Sequence, residues 1–237
     1  MRTSIAIAAL LLVAACRGAD PGACPVLHVL AAQSLEPPLR ALIGARDDVR
    51  VSYGASGQLV RQMELGAPAD LFLPAGEQEA GAAGARAAEV RALAANRLVL
   101  VVPRGNPAGI ARPADLARAG LRVAVGRAPA VPAGRYARDA LARLGLLETV
   151  APRLVEAESA PQAVAWVRAG QADAGLVYRT DARAAGDAVE VLAELETTTP
   201  IRYPAVVLRG VCEARARALL DELSRAPVLA AHGFERP

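Results

Sequence analysis

Apolar residues along this chain recur in two rhythms. Runs such as Val26–Ala32 (VLHVLAA), Arg97–Val102 (RLVLVV) and Ala174–Tyr178 (AGLVY) are nearly continuous, as in a strand buried on both faces. Val49, Val51 and Tyr53 alternate instead, as in a half-buried strand, and Asp70–Pro74, Leu121–Val125, Val189–Leu195 and Ile201–Leu208 are further strand runs. Between them the period lengthens to that of a helix. Leu39, Leu42 and Ile43 follow Glu36-Pro37-Pro38; Leu59, Val60 and Met63 follow Ser56; Ala163, Val164 and Val167 follow Ser159. Tyr136–Leu144 and Glu213–Ser224 read as two more helices, Pro113–Ala119 as a short one, and the Ala/Gly-rich Glu77–Ala94 as a weakly periodic one. Strands alternating with helices predict an α/β fold with mainly parallel sheets and right-handed crossovers. About nine strands could make one wide sheet or two lobes, and no change of composition marks a linker.

The junctions between the two rhythms repeat one chemistry. A strand ends, a short stretch of Gly, Ala, Ser or Pro follows, and a helix begins: at Gln33-Ser34, at Gly54-Ala55-Ser56-Gly57, at Pro132-Ala133-Gly134 and at Ser159-Ala160-Pro161. Helix starts carry backbone N–H groups with no partner inside the helix, and favour negative charge. One such loop is ordinarily a cap and a turn. Four of them, with Tyr178 at a strand end, suggest a cage in which neutral donors hold a small anion without a counter-ion.

The first residues stand apart from this pattern. Met1 and Arg2 lead into the apolar run Ile5–Val13, too short for a resident membrane span and shaped like an export signal. Val13-Ala14-Ala15-Cys16 resembles the bacterial lipobox, so residues 1–16 are expected to be a signal peptide with Cys16 lipidated as a membrane tether. An ordinary signal peptide cleaved nearby is the alternative, and both place the mature protein outside the cytoplasm.

Composition narrows the partners. Hydrophobic residues make up 54% of the chain and aromatics only 3%, and the net charge is +3. All its basic residues are Arg, scattered among acids with no basic run, which excludes the pattern nucleic-acid binding needs. If lipid occupies Cys16, Cys24 and Cys212 remain as an even pair in an oxidising compartment, where a disulfide is plausible. His28 lies in a strand run and reads as structural; His232 lies near the C-terminus.

Ala31-Ala32-Gln33-Ser34-Leu35, Gly54-Ala55-Ser56-Gly57, Gly66-Ala67-Pro68-Ala69-Asp70-Leu71-Phe72, Asn96-Arg97-Leu98-Val99, Val131–Ala137 (VPAGRYA), Gly175–Ala182 (GLVYRTDA), Tyr203-Pro204-Ala205-Val206 and Gly233-Phe234 together resemble the periplasmic molybdate-binding proteins of ABC importers. The resemblance runs in order from Val26 to Phe234. It implies a two-lobed periplasmic-binding-protein fold of type II with a hinge: lobe 1 from 26–94 and 202–237, lobe 2 from 95–201, and crossovers near Ala94–Asn96 and Thr197–Arg202. Further implications are a monomer without a cofactor, molybdate or tungstate as ligand, and delivery to the membrane permease of an ABC importer. The anion-binding residues carried over are Ser34, Ser56, Ala133, Ala160 and Tyr178, which would hold molybdenum through its oxyanion and not by direct coordination. Placing both chain ends in one lobe, the resemblance also makes a Cys24–Cys212 bridge geometrically possible. Arg135 is not among the ligands, and its loss is expected to change affinity little. The chain departs from the family pattern with Ala160 in place of a larger aliphatic residue, Pro74 in place of Ser, and a shorter 77–94 region.

Two other functions compete. A receptor for sulfate or phosphate would use the same donors, although a protonated phosphate needs an acceptor and this set is almost exclusively donors, with Glu36 and Glu158 close in sequence to two of the junctions. A serine hydrolase would use Ser56, but Gly54-Ala55-Ser56-Gly57-Gln58 falls one glycine short of the nucleophile elbow and only His28 or His232 could be its base.

Overall fold

The computed structural model describes residues 24–44 and 46–237. The expected export signal and Cys16 lie outside the described residues. In chain order the elements are β1 (Leu27–Ala32), α1 (Glu36–Ile43), β2 (Val49–Gly54), α2 (Ser56–Glu64), β3 (Leu71–Leu73), α3 (Glu77–Gly81), β4 (Ala87–Asn96), β5 (Leu98–Pro103), β6 (Val123–Gly126), α4 (Pro132–Arg143), α5 (Leu147–Val150), β7 (Leu154–Ala157), α6 (Ala160–Arg168), β8 (Ala174–Tyr178), α7 (Arg179–Ala185), β9 (Val189–Leu195), β10 (Ile201–Leu208), α8 (Glu213–Arg225) and α9 (Val228–Ala231).

They build two lobes, each on a five-stranded sheet: β2-β1-β3-β10-β4 in the first and β7-β6-β8-β5-β9 in the second. The chain passes between them twice, from β4 to β5 through Arg97 alone and back from β9 to β10 through residues 196–200. The sheets are mixed, not mainly parallel. In each, the three strands linked through helices pair in parallel, whereas β10 or β5 joins by two antiparallel pairings. β4 and β5, with β9 and β10, run directly across the hinge, so they never make the crossover that would set them parallel.

The 77–94 segment also differs from its sequence pattern. Only Glu77–Gly81 is α-helical; Gly84–Arg86 is a 3-10 turn and Ala87 opens β4. β4 (AAEVRALAAN) is half alanine and its burial does not alternate, so neither its composition nor its period announces a strand. Pairing with β10 makes it one, with a register shift at Tyr203/Pro204, where proline has no N–H for the ladder. α4 begins at Pro132, four residues before the helix read from apolar spacing.

One buried cluster spans the lobes, including Leu27 on β1, Leu98 on β5, Tyr178 on β8 and Phe234. Cys24 and Cys212 form a disulfide across the back of the first lobe, with Cα atoms 5.1 Å apart. Among the described residues no helix is long and apolar enough to cross a membrane.

Candidate functional site

Strand ends and helix starts from both lobes meet at one small cavity of about 20 Å³. Ser34 reaches it from the 3-10 turn Gln33–Leu35 between β1 and α1, and Ser56 from the first turn of α2. Ala160, first residue of α6, and Tyr178, last of β8, approach from the second lobe. Pro132, first residue of α4, lines the cavity too; Ala133 follows it, fully buried, and is not itself on the wall. Four of the five residues expected from the sequence therefore border one space, and the fifth stands one position behind it. No charged side chain lines the wall.

The hydrogen bonds behind the cavity set the direction of its hydroxyls. Ser56 does not cap α2, whose cap is Ala55; its Oγ instead accepts from the Ala75 N–H at 3.0 Å. That bond fills an acceptor position and leaves the hydroxyl hydrogen free. Ser34 Oγ lies 2.9 Å from the Tyr203 hydroxyl, which in turn accepts from Asn96 Nδ2 at 3.4 Å. An amide nitrogen can only donate, so the Tyr203 hydrogen is available to Ser34 Oγ; with Tyr203 as donor, the Ser34 hydrogen is directed to the cavity. Tyr178 donates to the Ala75 carbonyl across a long 3.5 Å, a bond weak enough to be exchanged for a better acceptor. Burial pushes the Tyr178 and Tyr203 hydroxyls well above the ordinary phenol range, so both stay protonated donors.

Backbone donors complete the set. As first and second helical residues, Ala160 and Ala133 have no intrahelical acceptor for their N–H groups. Each helix start is fixed by its own device. Ser159 Oγ caps α6 by accepting from Gln162 N–H at 3.3 Å. Gly134 lets α4 sit on the end of β6, since a Cβ there would lie 1.9 Å from the Gly126 carbonyl oxygen. The arrangement offers donors to an acceptor-rich, negatively charged guest, and no carboxylate to a cation.

Sequence reasoning missed the groups that position this set and close it. Tyr178, Tyr203 and Phe234 pack edge to face in series, with Tyr136 tilted beside Tyr178, at centroid distances of 5.1–6.4 Å. Of one Trp, four Tyr and two Phe in the whole chain, four are thus spent behind the cleft. That scarcity was the available signal. Asn96 and Tyr203 stood in the recognised motifs, but nothing in their spacing showed that they orient Ser34.

Arg135 does not line the cavity, but it makes a contact that sequence reasoning missed. It spans the cleft from α4 to Glu79 on α3, at 2.5 and 3.0 Å, with the Glu79 side chain only 7% exposed. Burial alone would lower the Arg135 pKa, but the ion pair with Glu79 outweighs it and holds it above the usual value. Nearby, Gly57 N–H donates to the Ala130 carbonyl across the lobes at 3.0 Å, and a Cβ at Gly57 would meet that oxygen at 2.8 Å and the Ala130 Cα at 2.9 Å. Both contacts exist only with the lobes together. Arg135→Ala should therefore weaken anion affinity by about 1 kcal/mol, roughly fivefold, through closure, and Gly57→Val more, by wedging the lobes apart. Titration calorimetry beside ligand-free melting checks this; wild-type affinity in both variants would show that closure does not depend on this seam.

The hydrolase alternative finds no support here. Neither His28 nor His232 lines the cavity, and the Ser56 hydroxyl is engaged by Ala75.

The model of the bacterial extracellular solute-binding protein family matches residues 27–235. The molybdate-binding protein ModA of Escherichia coli is 34% identical over 202 residues, 79% of this chain and 78% of that protein. A putative ABC transporter substrate-binding lipoprotein of Bacillus subtilis, YvgL, is 32% identical over 167 residues, 68% of this chain and 64% of that one. The solved periplasmic molybdate-binding protein of Azotobacter vinelandii superposes with a TM-score of 0.74 at 25% identity, covering 89% of this chain and 99% of the other.

Proposed function

The chain belongs to the bacterial extracellular solute-binding proteins, and from that premise we propose that it captures molybdate or tungstate between its lobes and delivers it to the membrane permease of an ABC importer. The observation that carries this is the uncharged cavity bordered by Ser34, Ser56, Ala160 and Tyr178, where the Ser56 hydrogen is free and the Tyr178 hydrogen is committed only to a long 3.5 Å bond. Ser34 and Ser56 would act from lobe 1, which we take as 26–94 and 202–237. The amides of Ala133 and Ala160 and the phenol of Tyr178 would act from lobe 2, 95–201. All five hold the oxygen atoms, and the metal itself needs no protein ligand. The protein binds and releases its ligand without turnover, as a monomer and outside the cytoplasm. Cys16 would carry the lipid that tethers it, a reading supported by its lipobox-like flank and by the lipoprotein among its relatives.

Titration calorimetry with molybdate, tungstate, sulfate and phosphate tests the ligand. Molybdate and tungstate should bind alike. Sulfate and phosphate should bind at least about tenfold more weakly, phosphate because its proton finds no acceptor among hydroxyls already turned as donors. Preferential binding of sulfate or phosphate would make this a receptor for that anion.

A further inference from the structure

Asp181 takes no part in the site as described, yet it stands beside it. It lies in the first turn of α7, three residues after Tyr178, and is 6% exposed. Its Oδ2 is buried without a hydrogen-bond partner, and among the described residues no other buried side-chain nitrogen or oxygen is left so. Asp181 lines two cavities that share wall residues with the anion site. One, about 230 Å³, it shares with Ser34; the other, about 470 Å³, with Gln33 and Pro161. The charged and titratable groups on those walls are Glu36 and Arg40 of α1, Arg168 of α6, Arg183 of α7 itself and His232 after α9. Tyr178 of β8 and Tyr203 of β10 lie on the inner side, near enough for the Asp181 charge to act on both hydroxyls. None of these pairs with Asp181, and Arg40 is bound to Glu36 at 2.7 Å.

We propose that Asp181 makes capture proton-linked: the closed cleft takes up one proton on this carboxyl with each dianion it binds, and Asp181 thereby sets affinity by its charge. The inference rests on the anion-site reading above. A carboxylate with one oxygen buried and unpartnered and a desolvated dianion in the neighbouring site oppose each other, and protonating the carboxyl relieves both. Burial has already raised the Asp181 pKa to about 7 with the site empty. The sign follows from linkage. A dianion raises that pKa further, so proton uptake on binding occurs above about 7, where the empty site has lost its proton. Well below 7 both states hold the proton and affinity is level. From 7 upward affinity falls, approaching tenfold per pH unit until the pKa of the occupied site is reached.

The test is calorimetry of the mature protein with sodium molybdate from pH 6 to 9, in two phosphate-free buffers of different ionisation heat. Near pH 8 the heats should report close to one proton taken up per anion, and affinity should drop about tenfold between pH 7.5 and 8.5. Asp181→Asn, nearly the same shape, should abolish the uptake and flatten the profile, while His232→Gln, removing the imidazole on the same cavity wall, should leave both intact. Wild-type binding without proton uptake at any pH above 7 would overturn the proposal without touching the anion site. So would uptake that survives Asp181→Asn, or that vanishes with His232. Failure to bind molybdate at every pH would take down the anion-site reading as well. The buffer comparison on wild-type protein decides the matter even if the Asn variant does not fold.

Discussion

Ser56→Ala and Tyr178→Phe are each expected to weaken molybdate binding by roughly 10- to 150-fold, the equivalent of losing one hydrogen bond to a charged group at about 1.5–3 kcal/mol. The two losses arise differently. Ser56 Oγ already accepts from the Ala75 N–H, so alanine removes a donor to the anion and also leaves that amide without its acceptor. Tyr178 has only a 3.5 Å bond to the Ala75 carbonyl to give up, and its ring keeps its place between Tyr136 and Tyr203 when the hydroxyl is gone. Tyr178→Phe should therefore lose affinity with little change in ligand-free melting, whereas Ser56→Ala should lose some of both. Calorimetry and thermal melting of the two variants separate these effects. Wild-type affinity in both would mean that the anion is held elsewhere.

Replacing Cys24 and Cys212 together by Ser should cost about 2–5 kcal/mol of unfolding free energy, toward the upper end because the bridge closes a loop with a sequence separation of 188. Anion affinity in the folded protein should hardly change, since the bridge lies behind the first lobe and off the cavity wall. The start of β1 is not left loose by the change, because Arg215 still reaches the Cys24 carbonyl and the Asp48 carboxylate, the latter at 2.5 Å. Urea unfolding of the oxidised wild type beside the double variant measures the difference. Thiol counting on denatured, unreduced wild type should find neither Cys24 nor Cys212 free.

The α/β alternation and the helix starts around the cavity could be read from the chain because both rest on local rules, whereas the division into two lobes came only from the family resemblance. A buried strand announces itself by an unbroken apolar run, and a helix start by its small polar residues. β4 could not be read, because alanine at half its positions satisfies helix, strand and turn alike, and only β10 decides among them. Its partner strand was legible, its pairing was not. Among the candidate residues, the groups expected to touch the anion sit in motifs, while those that aim or clamp them act over long separations. Tyr203 meets Ser34 across 169 positions, and Arg135 meets Glu79 across 56. No window of sequence contains either pair. Asp181 was written in a recognised motif, but its lack of a partner is a property of the packed interior.

The bridge behind the first lobe also fixes the length of a leash. If lipid holds Cys16 in the membrane, only the eight residue steps to Cys24 separate the anchor from a covalent staple, a reach of about 29 Å at full stretch. Load from the anchor passes through sulfur into the start of α8 and cannot peel β1 away from its sheet. The first lobe then rides at a bounded height above the bilayer, and the second is the one free to swing toward a membrane partner.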